Sequence, residues 1–266
     1  MYKIKNKIKI ILTMIRSPFI LLFSVLWTVF VASVQTILYP ILPNYWRRDM
    51  VGVIWSQGLM LIAGVRVKVS GRENIPSDGS VYLFNHTSNY DIPVCYVAVP
   101  RFLRFGAKES LFKVPFLSLG MRNMKVIPID RGNREKVLAS YRKIYPEVKH
   151  LGENVILAPE GTRQMIEEIG SFKSGPFIFA IECGCPLVPV VISGVSEVLG
   201  KKSLWINLGK MFRRVHVKIL PPVSTSGWTL ERVDELKDTV RAMMIDGLRE
   251  AQAERAAAID PPLFVR

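Results

Sequence analysis

Cysteine and histidine are both scarce in this 266-residue chain, three of each, and their placement excludes several classes of protein. Cys95, Cys183 and Cys185 form no paired framework, so a disulfide-built scaffold is not expected, and the three histidines are too far apart to suggest a zinc site. A reduced compartment follows. Cys183-Gly184-Cys185 reads as small apolar residues at the end of a helix. Also missing is any Gly-x-Ser-x-Gly elbow, so no serine nucleophile stands on a strand-to-helix turn. Acids are few: 22 Asp and Glu against 36 Lys and Arg leave a net charge of +14, which predicts attraction to nucleic acid, anionic lipid, or a phosphorylated or acidic partner. No nucleic-acid recognition module is legible and the positive charge is scattered, so nucleic acid is not the expected partner.

Charge itself is absent from Ser17 to Trp46, a 30-residue stretch, and a bilayer takes roughly 20 helical residues to cross. The run is too long for the core of a cleaved signal peptide. Lys3, Lys5, Lys7, Lys9 and Arg16 precede it without an acid, and Arg47 and Arg48 follow it. Basic residues prefer the cytoplasmic side, so two basic ends favour a shallow helical hairpin over a single span. Ser33, Gln35 and Thr36 supply a place for its turn, while Pro40 and Pro43 offer the alternative of stopping one long helix. The expected division is a membrane anchor over 1–50 and a soluble domain over 51–266.

Beyond the anchor, Val65 to Val69 alternates as a strand should, and Val81–Phe84, Val155–Ala158 and Leu187–Ile192 are short apolar runs that suit buried strands. Helical patterns near 134–149, 172–183 and 229–256 accompany them. The last carries Leu230, Val233, Leu236, Val240, Met243 and Met244 as a core-facing stripe. The fold class expected is α/β, with a mixed, partly parallel sheet flanked by helices.

Asn85-His-Thr-Ser-Asn-Tyr-Asp91 lies between the strand at 81–84 and a helix at 92–99. Ser88-x-x-Asp91 is a capping-box pattern, which makes Asp91 structural. The same geometry lets a carboxylate hold one nitrogen of His86 so that the other accepts a proton. Without a protein nucleophile, the attacking hydroxyl has to arrive with the substrate. Ala158-Pro-Glu-Gly-Thr-Arg163 follows a second strand, where open α/β sheets bind ligands, and arginine's planar fork suits a phosphate. Lys173 and Ser174 precede a helix start that can add backbone donors. Lys108, Lys113, Arg122, Lys125, Arg131 and Arg134 form a basic run, most of which reads as solvated surface.

Together these stretches resemble the glycerolipid acyltransferases typified by 1-acyl-glycerol-3-phosphate (lysophosphatidic acid) acyltransferase, over roughly residues 80 to 195. Residues 85–91 look like that family's His-x4-Asp motif. Gly106-Ala-Lys-Glu-Ser-Leu-Phe-Lys-Val-Pro115 with Ile129-Asp-Arg131 looks like its second block, Pro159-Glu-Gly-Thr-Arg163 like the third, and Val188-Pro-Val-Val-Ile192 like the fourth. Ala158 replaces a common phenylalanine and Gln164 a common serine. The resemblance implies that His86 is a general base oriented by Asp91, and that Lys108, Arg131 and Arg163 take the acceptor's phosphate. Glu160, Gly161 and Thr162 would shape that pocket. It implies acyl-coenzyme A or acyl-carrier protein as co-substrate with no further cofactor or metal, a lysophospholipid acceptor, and an anionic membrane with the catalytic domain on its cytoplasmic face. Lys201, Lys202, Lys210, Arg213, Arg214 and Lys218 would then meet the acidic donor or lipid headgroups. The acceptor stays open among lysophospholipids, glycerol-3-phosphate and lipid A precursors. A lipid hydrolase using water activated by His86 is the chemical rival.

Overall fold

The computed structural model describes residues 2–38, 40–41, 46, 50–201, 203, 206 and 212–257. One helix, α1 (Tyr2–Leu38), begins the chain, and a π-helical turn (Met50–Trp55) leads into α2 (Ser56–Ala63). There follow β1 (Val65–Ser70), β2 (Val81–Phe84), α3 (Asp91–Ala98), β3 (Leu103–Lys108), α4 (Leu117–Asn123) and β4 (Ile127–Ile129). Then come α5 (Arg134–Arg142), α6 (Tyr145–Leu151), β5 (Asn154–Leu157), α7 (Gly175–Cys183), β6 (Leu187–Ser193), β7 (Arg213–Ile219) and α8 (Val233–Ala257).

The seven strands form one sheet in the order β1-β7-β6-β2-β5-β3-β4, parallel throughout except for the antiparallel β6–β7 pair. Side chains alternate across it. Tyr82 and Phe84 join one apolar core with Val94 and Ala98 of α3 and Leu59 and Ala63 of α2, while Val81 and Leu83 join the other. On that second face α8 buries Leu236, Val240, Met244, Leu248 and Ala251, and α7 buries Phe177 and Phe179. Leu230, expected in the α8 stripe, is exposed on the 3-10 turn before the helix.

Proline sets several boundaries. The expected helix over 134–149 breaks after Arg142 and restarts with Pro146 in its first turn, and α7 starts only at Gly175-Pro176. Cys183 ends α7 and left-handed Gly184 caps it, with the Cys183 and Cys185 sulfurs buried 2.9 Å apart. Gly71 joins β1 to the next turn at φ +78°, and a Cβ there would sit 2.0 Å from the Ile219 carbonyl oxygen. Gly71→Ala therefore combines strain with a backbone clash and is expected to cost about 1–3 kcal/mol of stability, read as a lowered midpoint in thermal unfolding.

The expected turn at Ser33, Gln35 and Thr36 is not there: α1 continues through them to Leu38, and a turn with Ile41 N–H on Leu38 O forms beside Pro40. The polar side chains are used sideways instead. Gln35 Nε2 donates to Met124 Sδ at 3.3 Å, and Thr36 Oγ1 accepts from Asn123 Nδ2 at 2.7 Å. The chain nevertheless doubles back, because Trp27 Nε1 donates to Trp55 O (3.2 Å) and Arg16 Nη2 to Ile62 O (2.6 Å), pairing α1 with the Met50–Ala63 arm running the other way. Met14–Leu38 is long and apolar enough to cross a membrane. Pro43, Arg47 and Arg48 lie outside the described residues.

Candidate active site

Parallel β2, β3 and β5 all end on one side of the sheet, and their C-terminal ends carry the residues singled out by sequence. Register puts Leu83 beside Leu157 and Phe105 beside Ile156, so His86, Lys108 and the Ala158–Arg163 turn emerge at nearly the same level. Asn85 fixes the first of these. Fully buried, it accepts from Ile192 N–H (2.7 Å) and donates to Ile192 O (2.9 Å), continuing the β2–β6 pairing with its side chain.

His86 Nδ1 lies 2.7 Å from Asp91 Oδ2, and Asp91, the first residue of α3, is wholly buried. The same oxygen accepts the backbone N–H groups of Thr87 (2.8 Å) and Ser88 (2.9 Å). With Oδ2 already an acceptor, the shared proton sits on Nδ1, which leaves Nε2 with its lone pair free. Both readings of Ser88-x-x-Asp91 thus meet in one carboxylate. Its contact with Ser88 N–H is half of a capping box; the other half is replaced by Ser88 Oγ accepting from Tyr90 N–H at 3.1 Å.

The Glu160 loop clamps the backbone of His86 from both sides. Glu160 Oε2 accepts the His86 N–H (3.1 Å), and the Gln164 N–H donates to His86 O (2.7 Å). Glu160 Oε1 accepts from Gly170 N–H at 3.0 Å, so both carboxylate oxygens are committed. Burial raises this carboxyl above its usual range, opposed by those two backbone donors. Glu167 anchors the far end of the loop to the end of β6, accepting from Ser193 Oγ (2.6 Å) and Gly194 N–H (2.7 Å). Sequence reasoning gave Glu167 no role.

These elements enclose a cavity of about 650 Å³. His86, Arg131, Arg134, Thr162, Lys173 and Ser174 supply its polar lining, and Phe84, Phe105, Ile129, Leu138, Tyr141, Leu157 and Phe172 an apolar one. Glu160 and Gly161 also line it; Lys108 and Arg163 do not. Lys108 stands exposed at the end of β3. Arg163 follows the wall residue Thr162, and its charge reaches Arg131, whose guanidinium is lowered by partial burial first and by Arg163 second. Of the basic run read mostly as solvated surface, Arg134 is exposed but also lines the cavity, while Lys125 pairs with Glu153 and Arg122 lies over the Phe112 ring.

The basic group near the C-terminus is less available than expected. Arg213 is buried, being an inward residue of β7, and Lys218 is held by Glu250 and Glu254 at 2.8 Å each. Lys202 and Lys210 fall outside the described residues.

The arrangement is an imidazole held through Nδ1 at a cavity whose lining includes both cationic and apolar side chains, which suits an amphipathic, anionic ligand. The Acyltransferase family model matches residues 66–193. The 1-acyl-sn-glycerol-3-phosphate acyltransferase of Saccharomyces cerevisiae is 34% identical over 194 residues, which is 72% of this chain but 63% of that protein, less than two thirds of its length. The Escherichia coli protein of the same name is 30% identical over 200 residues, 73% of this chain and 79% of its own. The crystal structure of the 1-acyl-sn-glycerophosphate acyltransferase PlsC from Thermotoga maritima superposes with a TM-score of 0.69 at 26% identity, covering 95% of this chain and 98% of that one. The chain belongs to the acyltransferase family that includes these 1-acyl-sn-glycerol-3-phosphate acyltransferases.

Proposed function

We propose that the protein moves a fatty acyl group from an acyl thioester to the free hydroxyl of 1-acyl-sn-glycerol-3-phosphate, giving phosphatidic acid. The observation that carries this reading is the 2.7 Å His86–Asp91 contact at a cavity with both a cationic and an apolar lining. His86 Nε2 takes the acceptor's hydroxyl proton as its oxygen attacks the thioester carbonyl. The tetrahedral centre collapses, the carbon–sulfur bond breaks, and the imidazolium returns the proton to the leaving thiolate. Asp91 holds the ring and offsets its transient charge. No acyl-enzyme forms.

Arg131 and Arg163, with Lys108 at the edge, are assigned to the acceptor's phosphate, and Arg134 and Lys173 join them because both line the cavity. Gly161 and Thr162 shape that wall, and Glu160 serves by holding the loop. The donor is acyl-coenzyme A or acyl-carrier protein. Arg131→Ala and Arg163→Ala are each expected to lower kcat/KM for the phosphate-bearing acceptor more than tenfold, roughly the worth of one charge-assisted hydrogen bond, with donor dependence little changed. Acceptor titrations at fixed donor read this directly; unchanged acceptor dependence in both variants removes the phosphate-pocket assignment.

The same reading places α1 in one leaflet, with both its ends and the catalytic domain on the cytoplasmic side. Support comes from the length over which α1 is tied to the domain. Contacts run from Arg16–Ile62 through Trp27–Trp55 to Thr36–Asn123, about 30 Å of helix. A spanning α1 would carry those partners, and the polar domain behind them, into hydrocarbon.

A further inference from the structure

We infer that the segment Leu111–Leu119, between β3 and α4, is a second point of entry into the lipid leaflet, separate from α1. The inference rests on the membrane attachment just proposed. Leu111, Val114, Phe116 and Leu119 are 41, 44, 49 and 42% exposed, four large apolar side chains within nine residues. Exposed apolar side chains concentrated in this way point to an interaction site. Phe116 adds a second observation. It enters α4 at φ +59°, a conformation that costs a residue with a Cβ about 1–3 kcal/mol, yet it stays 49% exposed.

The identity of the partner follows from what adjoins the segment. α4 lies directly on α1: a Cβ on Gly120 would be 3.3 Å from that of Ala32, and Asn123 bonds Thr36. Leu119 is one residue from that contact, so the exposed segment lies beside α1, where Phe30 and Ile37 are 57 and 73% exposed. A single partner covering both has to be apolar over a wide area, as a leaflet is. Charge agrees. Leu111–Leu119 itself carries Lys113 and no acid, which suits a surface of anionic headgroups.

Placement gives the contact a purpose. The segment begins three residues after Lys108, at the end of the sheet that carries His86. Anchoring by α1 alone leaves the domain free to tilt. A second contact beside the cavity would fix its mouth at headgroup level, where the acceptor's phosphate and hydroxyl lie.

The test uses the full chain with a single environment-sensitive fluorophore at Phe116→Cys, or at Phe30→Cys in α1 for comparison. The native cysteines are 0, 1 and 4% exposed, and unsubstituted protein controls for their labelling. With phosphatidylcholine–phosphatidylglycerol vesicles, both probes should brighten and be quenched by spin labels on the acyl chains. A probe at 116 that stays open to aqueous iodide while the one at 30 meets lipid overturns this inference and leaves the α1 anchor standing. If neither meets lipid, the attachment itself is wrong and the inference falls with it. Shielding of 116 that needs only more protein, without vesicles, means a second copy covers the patch and also overturns it. As a functional readout, serine at all four positions should lower transfer to acceptor in vesicles about tenfold or more, with transfer to a monomeric short-chain acceptor unchanged; equal loss on both assigns the segment to the site and not to docking.

Discussion

His86→Ala should lower acyl transfer by about 10²–10⁴-fold, the usual cost of a missing general base, while thermal stability and cavity stay intact. The side chain is 14% exposed, bonded through Nδ1 to Asp91 and edge-on to the Phe84 ring at 5.3 Å, and the backbone at this position stays clamped by Glu160 and Gln164, so its loss should cost the fold little. The informative quantity is kcat at saturating donor and acceptor. Binding of either substrate should survive, because the cationic and apolar walls of the cavity remain. A variant that keeps kcat and loses only acceptor affinity would show that His86 binds and does not abstract the proton.

Asp91→Asn should be nearly as damaging to turnover and, unlike His86→Ala, should also weaken the fold. Three N–H donors converge on Oδ2, and Oδ1 is buried with no hydrogen-bond partner among the described residues. An asparagine whose oxygen serves those donors must place its amino group in the Oδ1 position, leaving a buried donor unmet at a cost of about 1–3 kcal/mol. Its neutral amide also cannot offset the imidazolium, so turnover should fall about 10²–10⁴-fold. Unfolding curves and turnover per folded molecule separate the two effects. Loss of stability with normal turnover would leave Asp91 only its part in shaping the Thr87–Ser88 turn.

The central strands were legible in sequence because they are uninterrupted apolar runs: β2, β5 and β6 are buried on both faces, and the motifs sit just past the ends of β2 and β5. Two of the strands missed, β3 and β7, carry buried charge. β3 contains Arg104, buried but paired with Glu153 at 2.9 Å, and β7 contains buried Arg213 and His216. A pattern that scores polar residues as exposed cannot find such strands, because their partners come from distant segments. β4 is three residues long with a proline at its centre. At the site, local spacing left His86 and Asp91, five residues apart, open between a pair and a capping turn, and the resemblance to the His-x4-Asp motif favoured the pair. The clamp of Glu160 and Gln164 on the His86 backbone spans more than seventy positions and leaves no local trace. The turn in the N-terminal segment was misplaced for a similar reason: Gln35 and Thr36 were read as loop residues, whereas their partners, Met124 and Asn123, lie on α4.

The most direct measurement is to incubate the purified full chain with a labelled acyl thioester, with and without 1-acyl-sn-glycerol-3-phosphate, and to follow the label. Label should pass into phosphatidic acid only when the acceptor is present, with thiol released in equal amount and little free fatty acid, and His86→Ala should abolish the transfer. Release of labelled fatty acid at a similar rate without acceptor would make water the nucleophile and the protein a hydrolase, contradicting the assignment of an acceptor hydroxyl as the group that His86 activates.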